Sequence, residues 1–382
     1  MKRRLAFLAA AACGLPLLLV DAASADPLPA TRNVVLIVSD GLRWQEVFTG
    51  ADPTLMNVEH GGIWAKPQAL TRDFWRDDVN ARRHVLMPFL WDSVAKHGQI
   101  FGNQTRGSIA RVTNAMHFSY PGYNEMLTGA PDSRIDTNDF GPNPNETVFE
   151  WLNHKAELKG QVAAFATWVR FKDIFNVGRS HIPVQAGWDP PYRGQLTERQ
   201  RAVNDFYATT TQFWDENAPN NYVQGPLLDF VRTQRPRLLF VAYGETDIWA
   251  HAGRYDLVLE SAQRFDAMVK ELWDAMQAMP AYRGSTTFIV TADHGRGSGL
   301  SAWKEHGAAP ELAGSENIWI AVFGPDTQPL GERVDVAEVT QAQIAATVAC
   351  LLGGDYRRDV PGAASAIAEV LASTTSCPSA RR

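Results

Sequence analysis

Apolar runs rich in β-branched residues recur along the chain, and segments with helical spacing separate them. The first run, 33–39, is apolar at successive positions, as expected of a strand that is buried on both faces of a sheet. Similar runs follow at 162–167, 237–243, 286–291 and 317–323. Helical patterns lie between them at about 146–158, 221–233, 254–279 and 336–352. This alternation predicts a layered α/β/α domain built around a mainly parallel central sheet.

Two other stretches, at about 50–95 and 176–220, are rich in Trp, Pro, Asn, Asp and Arg and have no clean period. We interpret both as insertions or covering loops. The chain shows neither an internal repeat nor a linker, so residues 26–382 are predicted to form a single catalytic domain.

Residues 1–25 have the pattern of a signal peptide. A basic start is followed by the apolar run Leu5–Val20 and by an Ala-Ser-Ala end. A membrane anchor and a lipidated Cys13 are the alternatives, although an apolar run of about 16 residues is short for a spanning helix. We therefore expect cleavage after Ala25 and a periplasmic or secreted protein.

The charge of the chain argues against some partners. The leader carries three positive charges and one negative charge, so its removal changes the formal net charge from −6 to −8. A chain this acidic has no general attraction for nucleic acid backbones or anionic lipid surfaces. We expect no nucleic acid polymer as a partner and no transmembrane segment after signal removal.

Two cysteines remain after the predicted cleavage, Cys350 and Cys377. In an oxidising compartment they could form a disulfide that fixes the C-terminal tail. Alternatively, Cys350 is a buried apolar residue of the run 344–352.

Acidic residues and histidines follow most of the predicted strands. In open α/β sheets, ligands bind at the carboxyl ends of the strands, and carboxylate and imidazole groups are ligands of divalent metals. Taken singly, such residues are more often helix caps or turn residues. Together they predict a metal centre. The residues are Asp40, Asp247, His251, Asp293, His294 and His306.

The segment 114–129 contains the candidate nucleophile, Ser119. Pro121 follows it, and proline is preferred in the first turn of a helix. Ser119 is therefore predicted at a helix N-terminus, where phosphate oxygens also bind well. A bound metal would lower the pKa of its hydroxyl group and generate the attacking alkoxide. Without metal ligands nearby, Ser119 would be interpreted as an ordinary helix cap.

These segments together resemble the alkaline phosphatase superfamily. The likeness is greatest to its type I phosphodiesterase/nucleotide pyrophosphatase branch and to its phosphatases with a serine or threonine nucleophile. The C-terminal pattern 339–353 is similar to the helix that closes that fold. In order and spacing the resemblance extends over about 320 residues. It rests on 33–41, 118–129, 247–251, 291–295 and 305–307.

The resemblance implies an exported hydrolase of small-molecule phosphate esters that uses two divalent metal ions. Zinc is the expected metal, with manganese or calcium as alternatives. Ser119 would attack phosphorus and form a phosphoseryl intermediate, while the paired ions would stabilise the attacking and leaving oxygens. The implied ligands are Asp247, His251 and His306 at one site, and Asp40, Asp293, His294 and the Ser119 oxygen at the other.

The chain departs from the phosphodiesterase branch near the nucleophile. That branch usually has threonine as nucleophile and asparagine three residues later, where this chain has Ser119 and Gly122. Asn124 is a substitute candidate for contacting a phosphoryl oxygen, or else a structural residue of the helix. The departure leaves the preference between monoesters and diesters open.

A pair of cations after the run 162–167 favours monoesters. Related monoesterases place cationic side chains there, and a doubly charged phosphate gains more from such a clamp than a diester does. Arg170 and Lys172 have suitable spacing, although a solvated charged loop is an equal alternative. Three tryptophans near the predicted ligands either line the cleft or pack in the core; they are Trp44, Trp249 and Trp303.

Other classes of protein fit less well. Sulfatases share this fold, but their nucleophile motif needs Arg where this chain has Tyr123. Two histidines, His251 and His306, also suit two transition metals better than one calcium. A cofactor-independent phosphoglycerate mutase would carry a large inserted domain. A non-catalytic binding protein would be expected to have lost a ligand or the nucleophile, whereas all these positions hold competent side chains.

Overall fold

The structure of the protein is a computed structural model that describes residues 30–64 and 67–371. The predicted signal peptide, Cys13 and Cys377 lie outside these ranges. Within them, no helix combines the length and the apolar composition that a membrane crossing requires.

A mainly parallel sheet of eight strands forms the centre of the protein, in the order β5-β4-β6-β1-β7-β8-β2-β9. Strand β8 runs antiparallel to both β7 and β2, and every other pair is parallel. Strands β10 and β3 form a separate parallel pair. The strands are β1 (Asn33–Ser39), β2 (Gly98–Phe101), β3 (Ala110–Arg111), β4 (Val162–Ala166), β5 (Val184–Ala186), β6 (Leu238–Tyr243), β7 (Thr286–Thr291), β8 (Ile320–Phe323), β9 (Gly331–Glu332) and β10 (Val339–Thr340).

Helices connect these strands. In the first half of the described chain they are α1 (Trp44–Thr49), α2 (Val58–Gly61), α3 (Pro67–Phe74), α4 (Val79–Leu86), α5 (Ala95–His97), α6 (Ser119–Thr128), α7 (Val148–Asn153), α8 (Phe171–Ile174) and α9 (Val177–Ser180). The later helices are α10 (Glu198–Thr209), α11 (Asn220–Gln234), α12 (Glu245–His251), α13 (Tyr255–Gln277), α14 (Gln343–Leu351) and α15 (Tyr356–Asp359). A π-helical turn spans Leu90–Val94.

Both faces of the sheet are covered, as the continuous apolar runs predicted. From β6, the Phe240 ring packs against rings of α6, α7 and α8, whereas the Tyr243 ring packs against Phe265 of α13. Side chains at these two positions point to opposite faces of a strand. The predicted α/β class with helical layers around a parallel sheet is therefore confirmed.

Some element bounds differ from the predictions. The last helical pattern was expected from about 336, but α14 begins at Gln343 because Val339–Thr340 pairs with β3 instead. The stretch 176–220 was interpreted as an insertion or covering loop, and it contains α9, β5 and α10. Helix α10 exposes most of its surface and therefore lacks an apolar period. A capping box between Thr197 and Gln200 satisfies its first turn locally.

Cys350 is buried in α14 and is disulfide-bonded. Cys377, the partner expected from the sequence, belongs to the undescribed tail, so that pairing stays a prediction.

Candidate metal centre and nucleophile

Three adjacent parallel strands deliver acidic side chains to one edge of the sheet. Strand β1 lies between β6 and β7, so the carboxyl ends of all three strands coincide. Asp40 follows β1 directly, Asp293 comes two residues after β7, and Asp247 lies in the first turn of α12. Backbone contacts fix this arrangement, since Gly41 N–H donates to Asp293 Oδ1 at 3.0 Å and Thr246 Oγ1 donates to the Asp40 carbonyl oxygen at 2.5 Å.

Asp40, Asp293, His294 and Ser119 form the first half of the site, which we call the deep half. All four residues are buried. The Nε2 atom of His294 lies 3.3 Å from Asp40 Oδ1, 3.5 Å from Asp293 Oδ2 and 3.2 Å from Ser119 Oγ. The structure therefore brings together the residues that the sequence predicted as one metal site.

Two carboxylate oxygens of the deep half are unsatisfied. Among the described residues, Asp40 Oδ1 and Asp293 Oδ2 are buried and have no hydrogen-bond partner. Burial of a charged oxygen without a partner is costly, and such atoms in a native protein need an explanation. A cation held between these oxygens and the His294 Nε2 atom would satisfy both of them.

Asp247, His251 and His306 form the second half, which we call the outer half. The Nε2 atom of His251 lies 3.4 Å from Asp247 Oδ2, and that of His306 lies 3.6 Å from Asp247 Oδ1. The two Nε2 atoms are 3.0 Å apart. Two neutral imidazole acceptors repel each other at this distance unless a proton or a cation lies between them. The His294 and His306 rings stack at 3.9 Å, so the two halves adjoin.

All three histidines present Nε2 to the cluster and use Nδ1 elsewhere. The Nδ1 atom of His294 contacts the Gly295 carbonyl oxygen at 2.8 Å, and that of His306 contacts the His117 carbonyl oxygen at 3.2 Å. The Nδ1 atom of His251 lies 3.0 Å from Glu305 Oε2. Metal-binding histidines typically have such a partner on the second nitrogen, which fixes the ring and leaves a lone pair on the first. The arrangement suits all three as ligands.

Electrostatics in the deep half favour an added positive charge. Burial, together with the charge of Asp40, raises the pKa of Asp293 well above its ordinary value. Burial lowers the pKa of His294, but the carboxylates of Asp293 and Asp40 outweigh it and bring this pKa to about 9. The deep half therefore retains a proton at neutral pH unless another cation replaces it.

In the outer half the pKa values of His306 and Asp247 are lowered rather than raised. Burial lowers the pKa of His306 well below its ordinary value, so its Nε2 lone pair is available near neutral pH. Burial alone would raise the pKa of Asp247, but the charges of Arg296, His251 and His306 hold it below the ordinary value.

Arg296 is a buried cation that the sequence analysis did not identify. Its Nη1 atom donates to Asp247 Oδ1 at 2.8 Å and its Nη2 atom to the Asp247 carbonyl oxygen at 3.1 Å. Its Nε atom donates to the Trp303 carbonyl oxygen at 3.1 Å. Arg296 therefore orients Asp247 and balances part of its charge. A charged residue between two glycines directly after the Asp293-His294 pair was the available signal in the sequence.

The nucleophile candidate begins helix α6, as predicted, and a buried carboxylate holds the segment before it. Glu125 accepts hydrogen bonds from the backbone N–H groups of Thr113 and Asn114 and from both side chains, at 2.7–2.9 Å. Asn114 Oδ1 in turn accepts from the His117 N–H at 2.9 Å. His117 has a left-handed φ of 54°, so this network holds an unusual backbone just before Ser119.

Close packing explains the glycine at position 122. A Cβ atom there would lie 2.5 Å from the Asp293 carbonyl oxygen, which is too close for any side chain. Helix α6 thus rests directly on the backbone of the deep half. An asparagine at this position would push Ser119 away from the cluster.

Asn124 does not reach the cleft. Its side chain is fully buried, and its Oδ1 atom accepts from Asn143 and Asn145 at 3.2 and 3.1 Å. Its Nδ2 atom points to the Ala130 carbonyl oxygen. Asn124 therefore supports the loop after α6, which matches the structural alternative rather than the substrate-binding one.

The structure does not assemble the predicted cationic clamp. Arg170 makes ion pairs with Asp139 and Glu216, and Lys172 lies 2.6 Å from Asp189. Lys172 lines a separate cavity of about 860 Å³ at the β5 edge of the sheet. Both cations already have carboxylate partners, which sequence spacing does not reveal.

A cleft of about 440 Å³ opens at Ser119 and at both halves of the site. Of the tryptophans noted in the sequence, Trp303 is in the core, and Trp44 and Trp249 pack against it. The tryptophan that lines the cleft is Trp168. Beyond the proposed ligands and nucleophile, the lining consists of Asn138, Asp139, Trp168, Glu216, Asn217, Gly244 and Ile248.

Comparison with known proteins finds a family model that matches part of this chain. The family model described as "Metalloenzyme superfamily" matches residues 210–355, a range that contains five of the predicted ligands. A curated relative, the 2,3-bisphosphoglycerate-independent phosphoglycerate mutase of Gracilaria tenuistipitata var. liui, is 32% identical over 59 residues. That match covers 15% of this chain and only 11% of the relative's length.

Solved structures share the fold at low sequence identity. The alkaline phosphatase PafA has a TM-score of 0.53 and 10% identity, with 91% of this chain and 100% of that chain covered. The lipoteichoic acid synthase LtaP from Listeria monocytogenes has a TM-score of 0.52 and 10% identity, with coverage of 86% and 74%. Ps i-CgsB in complex with k-i-k-neocarrahexaose has a TM-score of 0.51 and 15% identity, with coverage of 88% and 75%. The chain is therefore similar to the metalloenzyme superfamily over residues 210–355 and shares the fold of these solved structures.

Proposed function

We propose that the protein is an exported, metal-dependent hydrolase of phosphate esters in which Ser119 is the nucleophile. One observation carries the proposal. The Nε2 atom of His294 lies 3.2 Å from Ser119 Oγ, 3.3 Å from Asp40 Oδ1 and 3.5 Å from Asp293 Oδ2, and these two carboxylate oxygens have no hydrogen-bond partner among the described residues. A buried serine has no structural need for such a surrounding.

The donor set fits two divalent cations. The deep half would hold one through Asp40, Asp293, His294 and Ser119. The outer half would hold another through Asp247, His251 and His306. Mixed carboxylate and imidazole ligands suit zinc first, and manganese less well. When bound, the cations would supply positive charge that lowers the pKa of the Ser119 hydroxyl group and stabilises the leaving oxygen.

The chain's own residues define the remaining chemistry. Ser119 loses its proton and its Oγ atom forms a bond to phosphorus, while the bond from phosphorus to the alcohol oxygen breaks and that oxygen gains a proton. Water then hydrolyses the phosphoserine and releases phosphate. Ser119 lies at the N-terminus of α6, where the helix dipole stabilises phosphate oxygens. Glu125 keeps the preceding segment in place through its five hydrogen bonds.

The test compares p-nitrophenyl phosphate with bis-p-nitrophenyl phosphate on zinc-loaded protein. We expect turnover of at least one ester, and a loss of about 1,000-fold or more in Ser119→Ala. Ser133→Ala changes an exposed serine outside the cleft and is the matched control. The ratio of the two rates decides between a monoesterase and a phosphodiesterase.

The same assay tests the sulfatase alternative. Tyr123 is buried at the position of the sulfatase arginine, and its hydroxyl group donates to Asp40 Oδ2 at 3.1 Å. We therefore expect p-nitrophenyl sulfate to remain uncleaved. Cleavage of the sulfate but of neither phosphate would contradict the proposal.

Export is a separate part of the proposal and rests on the leader pattern in residues 1–25. Expression of the full chain in a Gram-negative host, followed by fractionation and N-terminal sequencing, tests it. We expect a periplasmic or secreted product that begins at Asp26. An uncleaved cytoplasmic product would contradict export without affecting the proposed chemistry.

A further inference from the structure

We propose that the cleft selects phosphate esters whose alcohol carries a positive charge, namely esters of amino alcohols with a primary or quaternary ammonium group. This inference rests on the proposed phosphate ester hydrolysis and specifies its substrate class. It concerns the part of the cleft lining formed by Asp139, Glu216, Trp168 and Ile248, which we call the acidic wall.

Carboxylates and no free cation line that wall. Asp139 and Glu216 both border the cavity that opens at Ser119, and the side chain of Asp139 is 75% exposed. No lysine or arginine contributes to the lining among the described residues. The alcohol part of a bound ester therefore meets negative rather than positive side chains.

The cation paired with these two carboxylates, Arg170, does not cancel both charges. Arg170 lies behind the lining, where its Nε and Nη2 atoms donate to Glu216 and Nη2 also donates to Asp139. One guanidinium is thus shared by two carboxylates, which leaves a net charge of about −1 at the wall. Its Nε and Nη2 donors are engaged by these carboxylates, and Arg170 is not among the residues that line the cleft.

Aromatic and apolar surface lies beside the carboxylates. Trp168 lines the cleft, and its Nε1 atom donates to Glu216 Oε2 at 3.0 Å, which holds the indole next to the acidic group. Ile248 lines the same cavity. An aromatic ring combined with a carboxylate is the chemistry that recognises alkylammonium groups, through cation–π attraction and charge.

A fixed segment carries this wall. Backbone N–H groups of Val169 and Ala218 donate to the carbonyl oxygens of Glu216 and Thr167, at 2.9 and 2.8 Å. Trp168 and Asn217 also pair as an isolated bridge. The segment that follows α10 is therefore attached to the end of β4, and its Glu216 side chain has a defined place at the cleft.

The experiment compares two esters that differ only in charge. Phosphocholine and 3,3-dimethylbutyl phosphate have the same shape, with nitrogen replaced by carbon in the second. If only diesters are turned over, their mono-p-nitrophenyl diesters form the equivalent pair. We expect kcat/KM to be about tenfold higher for the cationic ester at low salt, and the ratio to fall as salt increases.

Two variants test the assigned residues. Glu216→Gln and Asp139→Asn should each lower the cationic-to-neutral ratio about threefold or more, because Arg170 is then less fully neutralised. Glu157→Gln removes an exposed carboxylate before the start of β4, at the other edge of the sheet, and should leave the ratio unchanged. Circular dichroism and thermal unfolding establish that each variant is folded.

The outcomes separate the two proposals. A wild-type ratio near one, or a ratio that neither cleft variant lowers, overturns the substrate inference while the hydrolase proposal stands. If neither these esters nor p-nitrophenyl esters are hydrolysed, the hydrolase proposal fails and this inference fails with it.

Discussion

The deep and outer halves of the site use similar side chains in different surroundings. In the deep half, the side chains of Asp293 and His294 are fully buried and two carboxylate oxygens lack a hydrogen-bond partner among the described residues. In the outer half, the His251 side chain is 38% exposed, and Arg296 already balances Asp247. The two halves therefore contain the same types of ligand but differ in burial and in how their charge is compensated.

This difference in burial predicts tighter cation binding in the deep half and easier access of water and substrate to the outer half. We infer that a cation in the deep half would contribute to the stability of the fold, because without it two buried carboxylate oxygens lack a hydrogen-bond partner. The partly exposed ligand His251 would let water and substrate reach a cation in the outer half at smaller electrostatic cost. We therefore expect the deep cation to be structural as well as catalytic, and the outer one to be exchangeable.

The largest expected effect comes from neutralising one carboxylate in each half. Asp293→Asn keeps the side-chain size but removes a charge from the deep half, so we expect loss of the deep cation and a drop in kcat of about 1,000-fold. Asp247→Asn should remove mainly the outer cation and lower kcat by about 100-fold. Metal analysis and p-nitrophenyl ester kinetics measure both effects. Loss of both cations in both variants would show that the halves do not act separately.

Metal removal should also distinguish the halves. With excess chelator, we expect one equivalent to leave quickly from the outer half and the second to leave slowly. The midpoint of thermal unfolding should fall by about 5 °C or more only in the slow phase, since a tightly bound cation stabilises the native state by a few kcal/mol. Asp293→Asn is the control and should show the fast phase alone. A single phase with both equivalents lost together would contradict the distinction.

The smallest expected effect concerns a support of the outer half. Glu305→Gln keeps an acceptor for the His251 Nδ1–H group but removes a charge from a side chain that is 56% exposed. We expect the outer cation to bind about threefold more weakly and the deep cation to bind unchanged, because solvent screens this carboxylate. Calorimetric metal titration measures both affinities. A change of more than about 30-fold would mean that the outer half is less accessible to solvent than the exposure of Glu305 indicates.

The sequence predicted the central strands and the cluster of side chains for one physical reason. Strands buried on both faces are continuously apolar, so β1, β6 and β7 are visible without an alignment, and polar residues directly after them collect at one edge. Sequence order therefore placed Asp40 and Asp293 together. Their role as ligands remains a prediction that the metal measurements above will test.

Ion pairs between residues far apart in the sequence could not be predicted from the sequence alone. In the sequence, Arg170 was a candidate for a phosphate clamp or for a solvated loop, but its partner Glu216 is 46 residues away in a stretch interpreted as an insertion or covering loop. The buried ion pair between Arg296 and Asp247 joins residues 49 apart. Periodicity reports which face of an element is buried, but it carries no information about which distant charge neutralises a cation.

The backbone segment that ends at Ser119 couples the position of the nucleophile to that of His306. The His117 carbonyl oxygen of this segment accepts a hydrogen bond from His306 Nδ1. The backbone that carries the nucleophile therefore also orients the His306 ring, a proposed ligand of the outer half. Glu125 anchors the other end of this segment, and the left-handed residue His117 forms its bend. A displacement of this segment would therefore move Ser119 and the His306 ring together, because both are attached to it. The spacing between attacking oxygen and outer ligand would then persist while both move relative to the sheet.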